Sequence, residues 1–326
     1  MPFSFIFFNS LGRLRSGWRA SVFCALFLML TAILLTFVNG VLGILDASPE
    51  NILTLQTAFI ITSSVLLLVA IFIGWVCAKG IEGLTFRSLG WSLCGFWWRD
   101  LIFGVLFGAI SLLLATGIAA LGGGLTLTFN QSANLSSIIQ TVLLSAVVFA
   151  FSAAGEEALF RGYPLQTFAR AKLIWVGALV SSLLFAWVHS SNQNVTIFGL
   201  INTGLAGVWF VIAYLKTRNL WFPFGLHWAW NWTMAAILGL PVSGITQIAP
   251  EPVWRGIDQG PTWLTGGHYG IEGGAACTIA LVVSTVLIWL TPFLKPDAEM
   301  LLLSSKENPK VLPTDFPPSS PPIFKL

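Results

Sequence analysis

Apolar residues recur along this chain in runs long enough to cross a bilayer, interrupted by short polar connections. Windows of roughly 19 residues predict helical spans near 20–45, 56–78, 100–121, 137–160, 173–190, 196–215, 221–240 and 275–294. The fold class that follows is all-α: a polytopic membrane helical bundle of about eight transmembrane helices. The first run lies behind Arg13, Arg15 and Arg19, exceeds a signal-peptide core in length and has no clear small-residue cleavage site after it, so it reads as a retained helix.

Charge gives the pattern a direction. With the N-terminus in the cytoplasm, every Lys and Arg except Arg255 falls on the cytoplasmic side, including Lys79, Arg87, Arg99, Arg170, Lys172, Lys216 and Arg218. An even number of spans returns the C-terminus to the same side. The connections near 122–136 and 241–274 then face outward. The chain divides into a cytoplasmic segment 1–19, a transmembrane domain 20–295 with a motif-bearing core at 137–240, and a Pro-rich tail 296–326 expected to be disordered. Residues 79–99 mix basic and aromatic side chains, which suits a segment lying on the membrane surface.

Composition agrees. The 326 residues are 56% hydrophobic and 9% charged, with mean hydropathy +0.84, so the chain is a multi-pass membrane protein whose constant partner is the lipid bilayer. The net charge of +3 serves topology, and no basic stripe points to nucleic acid. Cys24, Cys77, Cys94 and Cys277 are scattered without metal or redox spacing and read as small core residues. Asn130 and Asn134 begin glycosylation sequons on the outward side, signals without meaning in a bacterium. No repeat of 20 to 50 residues is visible.

Ionisable groups inside spans cost roughly 2.5 to 3.5 kcal/mol each on insertion scales, so those present call for a reason. Three clusters stand out: Glu156, Glu157 and Arg161 ending the fourth span, Phe185 and His189 ending the fifth, and His227 and Asn231 in the seventh. Four-residue spacing puts Glu157 and Arg161 on one helical face as an ion pair. Glu156 points about 100° away, without that partner. A carboxylate left alone in apolar surroundings is the kind of group that takes a proton from water near neutrality. Equal residue counts from a cytoplasmic hairpin would put Glu156 and His189 level, whereas His227 lies nearer its own cytoplasmic start. A broken helix or interfacial segment at 162–172, near Pro164, would lower the other two.

In order and placement, Glu-Glu-x-x-x-Arg, Phe-x-x-x-His and His-x-x-x-Asn resemble the signature of the type II CAAX prenyl endopeptidase family, whose bacterial branch includes bacteriocin-processing and immunity proteins. The resemblance covers about 137–240 and extends weakly to the glycine-rich turn 266–274. It implies an intramembrane endopeptidase in which Glu156 and His189 activate water and His227 and Asn231 stabilise the oxyanion. Glu157, Arg161 and Phe185 support them. The substrate is then a peptide or membrane protein, and the location a cell membrane, that of the bacterial plasma membrane. No cofactor is implied. A zinc ion on Glu156, His189 and His227 is the alternative that ligand chemistry leaves open.

Motifs of the common zinc, serine and aspartyl peptidases are absent. A proton- or ion-coupled transporter would also explain intramembrane charge, but it predicts paired broken helices in two halves, which the pattern lacks. A non-proteolytic family member acting in immunity or as a scaffold is the third reading. His268 and Glu272, four apart in the glycine-rich turn, read as part of a packing or gating turn, and Asn202 as a polar contact between helices.

Overall fold

The computed structural model describes residues 4–44, 52–93 and 95–305. Its framework is helical: α1 Ser16–Ile44, α2 Ile52–Glu82, α3 Trp97–Leu121, α4 Leu135–Phe160, α5 Tyr163–Arg170, α6 Ile174–Val188, α7 Ile197–Thr217, α8 Trp221–Trp232, α9 Ala275–Leu290 and α10 Ala298–Ser305. Among the described residues, six helical segments are long and apolar enough to cross a membrane: Ser16–Val41, Leu55–Glu82, Trp97–Leu121, Leu135–Arg170, Ile174–Ser191 and Ile197–Thr217.

The last two predicted spans fold as shorter elements. The window 221–240 becomes α8 followed by a π-helical turn at Thr233–Ile237, and 275–294 becomes the 16-residue α9. The physical reason is the turn that precedes α9, which folds into the bundle and satisfies its backbone there. Asn202 Nδ2 donates to the carbonyls of Glu272 and Gly274 at 2.8 and 3.0 Å, and Thr278 Oγ1 donates to Asn202 Oδ1 at 2.7 Å. In a membrane protein, irregular backbone is tolerated where protein buries it or where it lines a cavity.

The all-helical expectation misses one ribbon. β1 Leu125–Phe129 pairs antiparallel with β2 Trp254–Asp258, from Leu125 opposite Asp258 to Phe129 opposite Trp254. The loop after α3 and the long connection before α9 are thereby joined. Leu125, Leu127 and Phe129 alternate with threonines, a two-residue period hidden in an uncharged stretch. Asn130 is buried at the end of this ribbon. Its Nδ2 donates to Glu251 Oε2 and Pro252 O, and its Oδ1 accepts from Arg255 Nε. Asn134 caps α4, accepting from Ser137 N at 2.8 Å. Both sequon asparagines therefore have structural work.

Segment 79–99, expected to lie on the membrane surface, is in part packed into the protein. Phe86, Phe96 and Trp98 are exposed, but Leu84, Ser88 and Leu89 are buried, and Trp91 packs edge-on against Trp221 at 5.1 Å. Glu82 sits in a buried cluster: Arg19 Nη1 at 2.8 Å, Arg170 Nη2 at 2.5 Å and the Thr167 hydroxyl at 2.5 Å. The tail also needs correction. Residues 298–305 form α10, with Met300 and Leu303 buried and Glu299 paired with Arg87 at 3.0 Å; 306–326 lie outside the described residues.

The closest helix approach decides where the seventh-span residues stand. Gly104 and Gly108 of α3 lie against α8, and a Cβ at either would strike the carbonyl oxygens of Phe222 and Leu226 respectively. Gly225 on α8 faces Leu101 O in the same way. This is the small-xxx-small packing by which membrane helices approach without a hydrophobic driving force. It sets the residue before His227. Gly108→Val should lower the thermal unfolding midpoint, a cost of about 2 kcal/mol or more for overpacking. Gly117→Val, on the same helix with nothing within 4 Å, should leave it unchanged. Equal midpoints for the two variants would contradict the packing.

Candidate active site

The site begins where α4 stops. Its last turn carries Glu156 and Glu157, Arg161 caps it, and Gly162 breaks the axis because a Cβ there would strike Ala158 O. The chain restarts as the short α5 with Pro164 in its first turn, where proline's missing N–H costs nothing. The helix is broken near Pro164, and the carboxylates do not continue on a straight helix towards residue 172.

Glu157 faces the protein interior. It is fully buried, and its Oε1 accepts from Arg161 Nη1 at 3.1 Å and from His227 Nδ1 at 3.0 Å. Arg161 is also fully buried. Its Nη2 donates to Gly207 O at 3.1 Å, and its guanidinium lies 4.6 and 4.9 Å from the ring centres of Phe185 and Phe210. The predicted ion pair is present, with aromatic faces on its cationic side.

Glu156 faces a cavity of about 440 Å³ that also takes in His189, His227 and Asn231. Its side chain is 27% exposed. Oε1 accepts from Ser152 Oγ at 3.2 Å, and Oε2 lies 3.8 Å from His227 Nε2 without a hydrogen bond of its own. The four residues predicted for chemistry thus line one space, with Glu157 and Arg161 behind its wall.

The two histidines are held by different partners. His189 follows the last residue of α6, and its Nδ1 donates to Phe185 O at 2.7 Å; because a carbonyl only accepts, a neutral ring leaves Nε2 as a lone pair. His227 stacks on Phe210 at 4.5 Å between ring centres, and a carboxylate acceptor on Nδ1 sets the same tautomer when that ring is neutral. To donate through Nε2 as well, His227 must carry both protons. Phe185 lies beneath both rings, 4.7 Å from His189 and 6.0 Å from His227.

Glu272 has a place in the cavity that sequence reasoning did not assign. Its Oε1 accepts from Trp230 Nε1 at 3.0 Å, and its Oε2 from Ser243 N and Oγ, each at 2.7 Å. The turn is held, as a packing turn should be, and it is not loose: this carboxylate ties it to α8. His268 is exposed and belongs to a separate cleft. Ser152 and Phe210 also escaped notice; the spacing of Ser152 four residues before Glu156 was the available signal. Gly207 packs against Ser182 Cα at 2.8 Å from a virtual Cβ, joining α7 to α6.

Among the described residues, no group of three or more His, Cys, Asp and Glu side chains converges as a metal-binding set. Cys24, Cys77 and Cys277 are free, and Cys94 lies outside the described residues.

Residues 138–233 match the family model for Type II CAAX prenyl endopeptidase Rce1-like proteins, a stretch that begins in α4 and ends just past Asn231. The match covers the core that carries the site. An Escherichia coli protein described as "Uncharacterized 24.3 kDa protein" is 34% identical over 93 residues, which is 28% of this chain and 42% of that relative. The chain therefore spans less than half of the curated relative it matches. No solved structure matches the chain. The Rce1-like core contains Glu156, Glu157, Arg161, Phe185, His189, His227 and Asn231; Glu272 and the ribbon lie outside it.

Removing one partner of a buried pair strands the other, at about 3 to 5 kcal/mol. Glu157→Gln should therefore unfold at a markedly lower temperature, since Arg161 keeps its charge with no carboxylate beside it. A midpoint equal to that of the unsubstituted protein would contradict the pairing.

Proposed function

We propose that the chain is an intramembrane endopeptidase of the CAAX-protease type, crossing the bacterial plasma membrane about eight times with both termini in the cytoplasm. The observation that carries the reading is Glu156: a cavity-facing carboxylate 3.8 Å from His227 Nε2, with a second, buried carboxylate fixing the far side of that imidazole. A transporter does not need the second contact. A hydrolase does, because a ring that must act on one atom has to be held in one orientation.

In the reaction, a water rests against Glu156 and the Nε2 lone pair of His189. Glu156 takes its proton as the oxygen attacks the peptide carbonyl. The new C–O bond moves the carbonyl electron pair onto oxygen, where doubly protonated His227 and the Asn231 amide donate to it. Collapse breaks the C–N bond, and the proton held by Glu156 passes to the leaving amine. The products are a carboxyl and an amino terminus, with the enzyme returned to its starting state. Glu157, Arg161 and Phe185 position these groups without touching substrate. The substrate is a peptide or a membrane-protein segment presented to the cavity.

Glu156→Gln should abolish cleavage of a membrane-embedded peptide by the purified, liposome-reconstituted protein while leaving its unfolding midpoint nearly unchanged; retained turnover would remove the assignment. A second measurement separates this chemistry from zinc held by Glu156, His189 and His227. Exhaustive chelation should leave turnover intact, and His227→Ala should cost roughly 100 to 1,000-fold in turnover with little change in substrate binding. About one zinc per chain, whose removal and return switch activity off and on, would overturn the metal-free mechanism.

A further inference from the structure

A second cavity, of about 840 Å³, opens at the opposite end of α5 from the Gly162 break. Arg15, Arg170 and Lys172 line it together with Ser16, Gly17 and Trp18, the first turn of the 29-residue α1. No acidic side chain belongs to its lining, and α1 has none in its first turn. The positive end of a long helix and three cations thus face one space, which is the electrostatics of an anion site.

Arg170 gives the independent indication. Its side chain is 2% exposed, and while Nη2 faces Glu82 Oε2, Nε and Nη1 have no hydrogen-bond partner. Buried guanidinium N–H groups are normally satisfied, and an acceptor-only ligand with several oxygens is what would satisfy these. Phosphate has that chemistry.

The surroundings point to a phosphate carried by lipid. Phe5, Ile6 and Phe7 on the short helix Ser4–Phe7, and Phe8 and Leu11 on the turn closed by the Phe8–Leu14 bridge, are exposed. Trp18 and Leu173, in the cavity wall, are exposed as well. Apolar side chains around a basic pocket are the arrangement of the membrane interface, with headgroups at the level of the cations and acyl chains alongside. In the proposed topology this face is cytoplasmic, where basic pockets between helices meet anionic headgroups. We propose that this cavity binds the headgroup phosphate of an anionic phospholipid, with Arg170, Lys172, Arg15 and the α1 N-terminus as its donors. Because α5 follows directly from the turn that carries Glu156 and Glu157, an occupied cavity steadies the segment behind the hydrolytic site.

The test uses the full chain in neutral detergent and leaves Arg170 in place, because its substitution would also disrupt the buried Glu82 cluster. Thermal unfolding is followed during titration with dihexanoyl phosphatidylglycerol, dihexanoyl phosphatidylcholine or inorganic phosphate, for the protein and for a variant carrying Arg15→Glu and Lys172→Glu. A ligand that binds only the folded state raises the midpoint saturably, by about 4 °C or more well above its dissociation constant. Phosphatidylglycerol should do so for the protein, with at least a tenfold weaker apparent affinity in the double variant, while phosphatidylcholine does not. Inorganic phosphate acting as strongly as phosphatidylglycerol would overturn the lipid assignment and give the site to a soluble phosphate. If phosphatidylglycerol produces no saturable shift, or the same one in the double variant, the site itself is refuted; a double variant whose ligand-free midpoint has collapsed is replaced by Lys172→Gln, held to the same criterion.

Discussion

One buried carboxylate holds this site together. Glu157 accepts from Arg161 on its own helix and from His227 on α8, so a single oxygen fixes the end of α4, the imidazole opposite it and, through Arg161, the Gly207 carbonyl of α7. Charges buried to this degree are tolerated only when paired and hydrogen-bonded. The arrangement divides two adjacent acids between two tasks. The inward one is consumed by structure, and its neighbour, rotated by one residue, is released to the cavity.

Backbone proximity makes that geometry reachable. His227 can stand opposite Glu156 and Glu157 because Gly104, Gly108 and Gly225 let α3 and α8 touch along their main chains. The aromatic layer of Phe160, Phe185 and Phe210 then closes around Arg161, with Phe160 and Phe185 edge-to-face at 5.3 Å. Across the cavity, Glu272 ties the turn before α9 to Trp230 and Ser243. Gln56 Nε2 adds a bond to Ile248 O at 2.7 Å, linking α2 to the long connection before α9. Each contact satisfies a polar group that hydrocarbon could not.

Much of this was legible along the chain, for a physical reason. Intramembrane charge is costly, so Glu156, Glu157, Arg161, His189 and His227 stood out against their apolar setting, and four-residue spacing paired Glu157 with Arg161 correctly. What stayed hidden depends on contacts distant in sequence. Nothing local shows that Glu157 also serves His227, 70 residues on, or that Glu82 collects Arg19 and Arg170. The Gly104–Gly108 pair was visible but is common in membrane helices, and only its partner gives it meaning. Glycine in 266–274 reads as looseness, yet Asn202 and Glu272 pin that turn from both sides. Proline in the tail masked the short apolar α10.

The central claim is that Glu156 acts on water directly and forms no bond to the substrate. Single-turnover cleavage in ¹⁸O-labelled water, with enzyme in excess, tests it at the atom concerned. The account predicts one ¹⁸O in the new carboxyl terminus of the product and none in the enzyme peptide that contains Glu156. Label in the Glu156 carboxylate would reveal an acyl intermediate on that residue and contradict the account.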